Sequence, residues 1–486
     1  MTLSEVSPDS ADDPSPPVDS GAFSSSDTLV VPSPRVSDPA RDLVDTDKAS
    51  SPDGGYGWIC VFCSFIVHFF ALGIESSWGV YQSHYFTSRD LGPISNSDLA
   101  WVGSIQATGQ PLVGILAGIL AQRIGYRLTG FIGTCIMCIG LISASFSTHV
   151  WHLYLTQGVL FGIGSGFAFI PAVCIPSQWF TKHRGLATGI AASGYGVGGL
   201  LLSPFTQRLI DLLGFRWALR ITGLMTLVAL GVADIFLRPR ASAKPATKVD
   251  KTLLTDNVFL FLCSIGLLSG PGFYVPIFYV PGTFRGITMT GLTILTLLPI
   301  LSFLVSFLNS FVPDYAINKL ERSAQDGANA AALISAFSAA GRVLVGIVGD
   351  RLGHLPVLSL CQCMGGIAQM AIWPFAGSLS GLMAFSSIYG FFTGGYVSLY
   401  PVVAADLYGV EGLASITGIM FSSFVPGTLL GPPISGAILD SHTNPLTGKI
   451  NFLPVQLFGG SWLLGSASMA VMVQIFHAKE GSIALA

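Results

Sequence analysis

From residue 57 onward the chain is a succession of apolar runs separated by short polar or glycine-containing breaks. Each run is about 20 residues, the length a helix needs to cross a lipid bilayer. The runs fall at 57–80, 99–121, 128–147, 151–176, 184–206 and 215–237. They resume at 257–281, 326–349, 355–376, 381–404, 413–438 and 453–475. One more, 287–312, lies between the seventh and eighth and has no counterpart in the first half.

The breaks repeat as well. Gly118-Ile-Leu-Ala-Gln122-Arg123-Ile-Gly125-Tyr126-Arg127 is echoed by Gly346-Ile-Val-Gly-Asp350-Arg351-Leu-Gly353-His354, with a carboxylate where the first copy has an amide. Pro171 and Pro401, Pro204 and Pro433, and Asp211 and Asp440 keep nearly the same spacing. Such internal repetition points to two homologous membrane halves, the architecture of many secondary transporters. The expected fold is an all-α membrane protein of two six-helix bundles, 53–237 and 256–476, related by a pseudo-two-fold axis. A linker, 238–255, joins them; a disordered tail, 1–52, and a short C-terminus, 477–486, flank them. The surplus run is bounded by a repeated tripeptide, Tyr279-Val-Pro281 and Phe311-Val-Pro313. A complete extra crossing would put Asp350 and Arg351 on the opposite side from Arg123. Segment 282–312 is therefore expected to be an insertion, such as a translated intron, that completes no functional crossing.

Composition agrees with a membrane protein: 51% of the 486 residues are hydrophobic and only 10% charged, against about 25% charged in ordinary soluble domains. The Ser-, Pro- and Asp-rich tail cannot bury enough apolar surface to fold and lacks the layout of a secretory signal. A net charge of −3 gives no reason to expect a nucleic-acid partner. The cysteines lie inside apolar runs and read as small hydrophobes rather than metal ligands, and no Asn-x-Ser/Thr sequon is present. Gly194-x-Gly196-x-x-Gly199 matches a dinucleotide fingerprint by letters only, since no strand precedes it. No phosphate loop, zinc spacing or nucleophile elbow occurs, so neither an enzyme nor a cofactor is expected.

With the tail inside, the cytoplasmic loops hold Arg123, Arg127, Lys182, Arg184, Arg238, Arg240, Lys244, Lys248 and Lys251. The outer loops hold only Arg89, Arg208, Arg216 and Arg220. This bias favours cytoplasmic termini under the positive-inside rule, in what we expect to be the plasma membrane.

Two stretches carry a family likeness. Asp53-Gly54-Gly55-Tyr-Gly-Trp58 leads into the first span, and Trp179-Phe180-Thr-Lys182-His-Arg184-Gly185-Leu-Ala-Thr-Gly189-Ile-Ala-Ala-Ser-Gly194-Tyr-Gly196-Val-Gly198 opens the fifth, its small residues suited to close helix packing. Together they resemble the signatures of the monocarboxylate porter family within the major facilitator superfamily. The loops Gly118, Arg123, Gly125, Arg127 and Gly346, Asp350, Arg351, Gly353 look like that superfamily's cytoplasmic gating motif. The resemblance covers 53 to about 475, and the tail is similar to the fungal branch. It implies the major facilitator fold and a cavity lined by spans one, four, seven and ten. Ser76 stands where animal members carry an intramembrane lysine, and Ser338 where the family carries an aspartate four residues before an arginine, here Arg342. Proton-coupled lactate transport by those familiar residues is thus not expected. Gln122 replaces the acid of the first loop motif, so a gating contact between a carboxylate and a neighbouring helix N-terminus should fall to Asp350.

Ionisable groups inside a membrane are costly and default to functional candidates. Arg342 lies about 12 Å along the helix from Asp350 at 1.5 Å per residue, near mid-membrane, where a guanidinium can bond both oxygens of a substrate carboxylate. The alternative is a structural pairing with helix carbonyls. His68 and Glu75 share one face of the first span and could pass a proton; the alternative is a neutral His68 bonded to a neighbouring helix and Glu75 at the water boundary. Gln157, Tyr274, Tyr396 and Tyr400 complete the candidate substrate contacts, ahead of Gln106, although a membrane tyrosine often serves only to bond another helix. Pro171, Pro276 and Pro401 are candidate bending points. The expected function is alternating-access transport of a small organic acid or related metabolite, with or without a proton, by a monomer in the bilayer. Efflux of a fungal secondary metabolite competes with uptake, and a non-transporting receptor on the same fold is the reading of another class.

Overall fold

The computed structural model describes residues 53–88, 92, 96–240, 253, 255–283, 322–376, 379–442 and 451–483. Among them 11 helices are long and apolar enough to cross a membrane, or 12 with the bent pair Trp101–Leu112 and Gly114–Ile124 counted as one span. In chain order the first half has α1 (Tyr56–Ser76), α2 (Trp78–Ser88), α3 (Asn96–Leu112), α4 (Gly114–Ile124), α5 (Tyr126–Ala144), α6 (Val150–Leu153), α7 (Phe161–Trp179), α8 (Arg184–Leu213) and α9 (Phe215–Phe236). The second has α10 (Asn257–Thr283), α11 (Arg322–Leu352), α12 (His354–Ile367), α13 (Leu379–Tyr408), α14 (Leu413–Ser422), α15 (Val425–Ser441) and α16 (Leu453–Ile483). The runs read from hydropathy thus coincide with helices. The surplus run falls between α10 and α11, so all but the start of segment 282–312 lies outside the described residues, as do the tail and most of the linker.

The irregular points have local causes. Pro111 inside α3 lacks the N–H that would continue the ladder, and the span bends 42° just beyond it. A π-helical turn, Tyr154–Leu160, joins α6 to α7, and another, Ala368–Ile372, follows α12. Both loop motifs turn on glycines in nearly the same backbone conformation, Gly125 at φ 95° and Gly353 at φ 94°, a region open to glycine and strained for other residues. Large apolar side chains such as Leu116, Val228 and Ile235 face outward, as a helix bundle solvated by lipid requires.

Both loop motifs lie at one end of the bundle. There Gly118 packs on the Ala414 backbone, Gly185 faces Gly346 and Asp350, the Tyr408 hydroxyl at the end of α13 donates to Asp256 before α10 (2.6 Å), and Gln474 near the end of α16 donates to the Leu355 carbonyl. Because α10 starts and α11 finishes at this end, Asp350 lies on the same side as Arg123, as the repeat requires. The two halves meet where α8 packs on α11 and α4 on α14.

Candidate functional site

The seam between α8 and α11 is built from small residues. A Cβ on Gly189 would collide with the Arg342 carbonyl, and one on Gly196 with Ser335 and Ala339. Without side chains at these positions the two backbones touch, and the guanidinium of Arg342 reaches across to α8. Arg342 is only 2% exposed. Its Nη1 donates to the Ala192 carbonyl (3.3 Å) and its Nε to Ser338 Oγ (3.4 Å). Both bonds are long for N–H···O, and they engage two of the five guanidinium donors. The Tyr195 ring lies 4.8 Å from its Cζ. Among the described residues Arg342 forms no ion pair.

Other groups converge here. Tyr396 is within electrostatic reach of Arg342, and its hydroxyl is fully buried without a hydrogen-bond partner. Ser269 lies beside it, but that hydroxyl is engaged with Ser466 and Gln362. Phe273 sits 6.1 Å from the Tyr396 ring and 5.2 Å from Tyr274. Tyr274 and Tyr195 both lie within reach of Glu75, and Tyr195 beside Ser76. The structure therefore places Arg342 near Tyr195 and Tyr396, and Glu75 near Tyr195 and Tyr274.

The remaining candidates sort differently. His68 is buried and its Nδ1–H donates to the Ser64 carbonyl of its own helix (2.7 Å), with its ring against Phe169 (5.1 Å). The bond is made within α1, not to a neighbouring helix. Tyr400 spends its hydroxyl on the carbonyls of Leu262 (2.9 Å) and Met420 (3.4 Å), tying three helices together. Gln157 sits in the π-helical turn, packed toward α3, its Oε1 buried and unpaired like both amide atoms of Gln106. Pro171 and Pro401 lie inside α7 and α13, and Pro276 within α10.

The signature stretches form a clasp. Asp53 accepts from the backbone N–H of Thr181 (2.8 Å), the Thr181 hydroxyl (2.9 Å) and the backbone N–H of Lys182 (3.1 Å). Trp58 meets Phe180 at 4.8 Å and Tyr56 meets Trp179 at 5.8 Å. A Cβ on Gly57 would come within 2.9 Å of the Phe180 ring. Partial burial works to raise the Asp53 pKa, but the bonds from Thr181 and Lys182 outweigh it and hold the carboxyl below its usual range. Gly54 and Gly55 lie in the turn before α1, and Gly194 packs on the backbone of Phe65 and Phe69 in α1.

Next to the clasp is a latch between the halves. Asp350 accepts from the backbone N–H of Gly185 (2.6 Å) and Leu186 (2.9 Å) at the start of α8, where the helix end favours negative charge. Arg184 Nη1 pairs with Asp406 (2.7 Å), and His354 bridges the two carboxylates, Nδ1 to Asp406 (2.5 Å) and Nε2 to Asp350 (3.0 Å). In the first copy of the motif Gln122 approaches Gly412, the N-cap of α14, and its Nε2 is buried without a partner. Arg127 Nε donates to the Leu237 carbonyl (3.0 Å); Arg123 and Arg351 are exposed.

Three residues were missed in the sequence. Tyr195 sits in a glycine-rich stretch that reads as packing alone. Asp406 closes the latch from the end of α13. Asp234, 3% exposed in α9, accepts from Thr134 Oγ1 (3.0 Å); a lone carboxylate in an apolar run was a visible signal.

The sequence profile described as Major Facilitator Superfamily matches residues 57–325 and 300–473. The chain belongs to the Major Facilitator Superfamily. It is a membrane transporter with the major facilitator fold. It is 30% identical to an agnestins efflux protein of Paecilomyces divaricatus, over 83% of this chain and 84% of the relative. It is 29% identical to a major facilitator transporter of Aspergillus flavus, over 84% and 86%, and 27% identical to an aspyridones efflux protein of Emericella nidulans, over 85% and 78%. For this transporter the latch and the small-residue seam are contacts across the interface between its two halves, and in the described conformation the latch end is closed.

Proposed function

We propose that this major facilitator exports a metabolite bearing a carboxylate or comparable anion, bound at Arg342. The observation that carries the reading is a buried guanidinium that, among the described residues, makes only two long hydrogen bonds and no ion pair with a carboxylate. An unpaired charge in a membrane interior is expensive, and an anion offering two acceptor oxygens is the complement that removes the cost. Relatives named as efflux proteins support the export direction over uptake. The site lies between the two halves, so rocking them about it exposes Arg342 to each side in turn, with the Asp350 latch fastening one closed state.

Around this core we keep the assignments read from sequence: six helices to each half, a monomer in the plasma membrane, latch and termini cytoplasmic, and kinship to monocarboxylate porters through the Asp53 and Arg184 stretches. Tyr274 and Tyr396 are proposed substrate contacts; Gln157 and Tyr400 are more peripheral. If a proton is coupled, Glu75 is the better carrier, because it faces the phenols around Arg342 whereas the His68 Nδ1–H is committed to its own helix. The test is counterflow of labelled organic acids in proteoliposomes holding the full chain. The wild type should exchange an acid that Arg342→Gln exchanges at least about tenfold more slowly. Undiminished exchange by Arg342→Gln removes the reading.

A further inference from the structure

His354 stands where an imidazole cannot be both neutral and satisfied. It opens α12 and lies between carboxylates from two other helices, Asp350 of α11 at its Nε2 (3.0 Å) and Asp406 of α13 at its Nδ1 (2.5 Å). Glycines make the room: a Cβ on Gly349 would come within 2.9 Å of the ring, and one on Gly185 within 3.0 Å of Nε2. Asp350 also caps α8 through the Gly185 and Leu186 N–H groups, and Asp406 holds Arg184 of that helix. Among the described residues, the charged groups on the ring are thus Asp350 and Asp406, with Arg184 behind the latter. They join α11, α12 and α13 of the second half to α8 of the first.

Counting donors gives the consequence. A neutral imidazole has one N–H and one lone pair, whereas an ionised carboxylate only accepts. With both ring nitrogens against carboxylate oxygens, one contact would set lone pair against lone pair unless a further proton is present. Whether that proton resides on the ring or on a carboxylate, the closed bridge requires it. The first loop copy has Gln122 and Tyr126 where the second has Asp350 and His354, and the Tyr126 hydroxyl simply accepts from Gln178 (3.1 Å). We propose that His354, with Asp350 and Asp406, is a proton-binding site whose occupancy fastens the latch, so that this end of the transporter opens more readily as pH rises. The site does not depend on which cargo Arg342 binds. A ring released by opening titrates near the ordinary histidine value, about 6.5. Below that value both states hold the proton and closure has its full support. Above it closure must take a proton up, and the closing equilibrium weakens by as much as about tenfold per pH unit until the bridge itself loses the proton.

Hydrogen–deuterium exchange of the purified full chain reads the bridge. Gly185 and Leu186 lie in the first turn of α8, where amides have no partner within the helix, so their protection reports the contact with Asp350. After correction for the intrinsic pH dependence of exchange, protection of the segment holding them should fall at least about tenfold between roughly pH 7 and 9. In His354→Gln it should start lower at neutral pH and change less than about twofold over that range, since an amide donates and accepts without titrating. Asp406→Asn should flatten the profile although the histidine is retained, because its amide can donate to a neutral ring. Protection of α5 unchanged from the wild type shows that each variant is folded. A flat wild-type profile, or a slope in His354→Gln or Asp406→Asn equal to that of the wild type, would overturn the proposal.

Discussion

Arg342 shows how little of a residue's role is contained in its type. A mid-membrane arginine is a candidate from sequence, but what makes it a site is the pair of long bonds to Ala192 and Ser338 and the lack of an ion pair among the described residues. Replacing it by glutamine should cut substrate exchange about tenfold to a hundredfold, the loss of one or two charge-assisted bonds. Lysine should rescue poorly, because a point charge cannot bond both oxygens in a plane. Asp53 makes a different statement. Its pKa is depressed by bonds formed only in the folded chain, so the clasp contributes stability that is complete above the ordinary aspartate range. That contribution is lost as pH falls through the lowered value. Thermal unfolding of the purified protein should show this acid dependence, and Asp53→Asn should be less stable at neutral pH with a flatter profile. Gly57→Val should lower stability by about 1–3 kcal/mol, since branched atoms would enter space filled by Phe180.

Among the elements, α8 does most to connect the halves. Its N-terminus is capped by Asp350, its glycines let it touch α1 and α11, and Tyr195 lies between. Asp350, His354, Asp406 and Arg184 form one connected set, so their substitutions should not add. In a double-mutant cycle of transport rates, Asp350→Asn and Arg184→Gln should couple by about 0.5–3 kcal/mol. Additive effects would mean that the two contacts act separately. The sequence revealed the first half of this device, the carboxylate at a helix N-terminus, from the repeated loop and the Gln122 departure. It did not reveal Asp406 or the bridging by His354, because residues at the ends of α12 and α13 become neighbours only when helices distant in the chain pack together.

For the molecule as a whole, the closed latch end is one of the states a transporter of this fold must leave. A Cβ on Gly114 would lie 2.9 Å from Ser422 Oγ across the halves, so cysteines at 114 and 422 should cross-link, block transport, and release it on reduction. Cross-linking without loss of transport would show that this end need not open. Hydropathy alone determined the helices, their approximate limits and the membrane, because every backbone polar group in lipid must be satisfied within its own segment and only a long apolar helix does so. Repetition alone determined that there are two halves and that Asp350 and Arg123 share a side. Tertiary packing decided which polar residues meet: it took Tyr195 out of a stretch that looked purely structural, gave Tyr400 to helix ties, and turned the His68 Nδ1–H onto its own helix. The reason is physical. Burial pattern is written along one helix, whereas the partner of a buried charge is fixed by the angle and depth at which several helices cross.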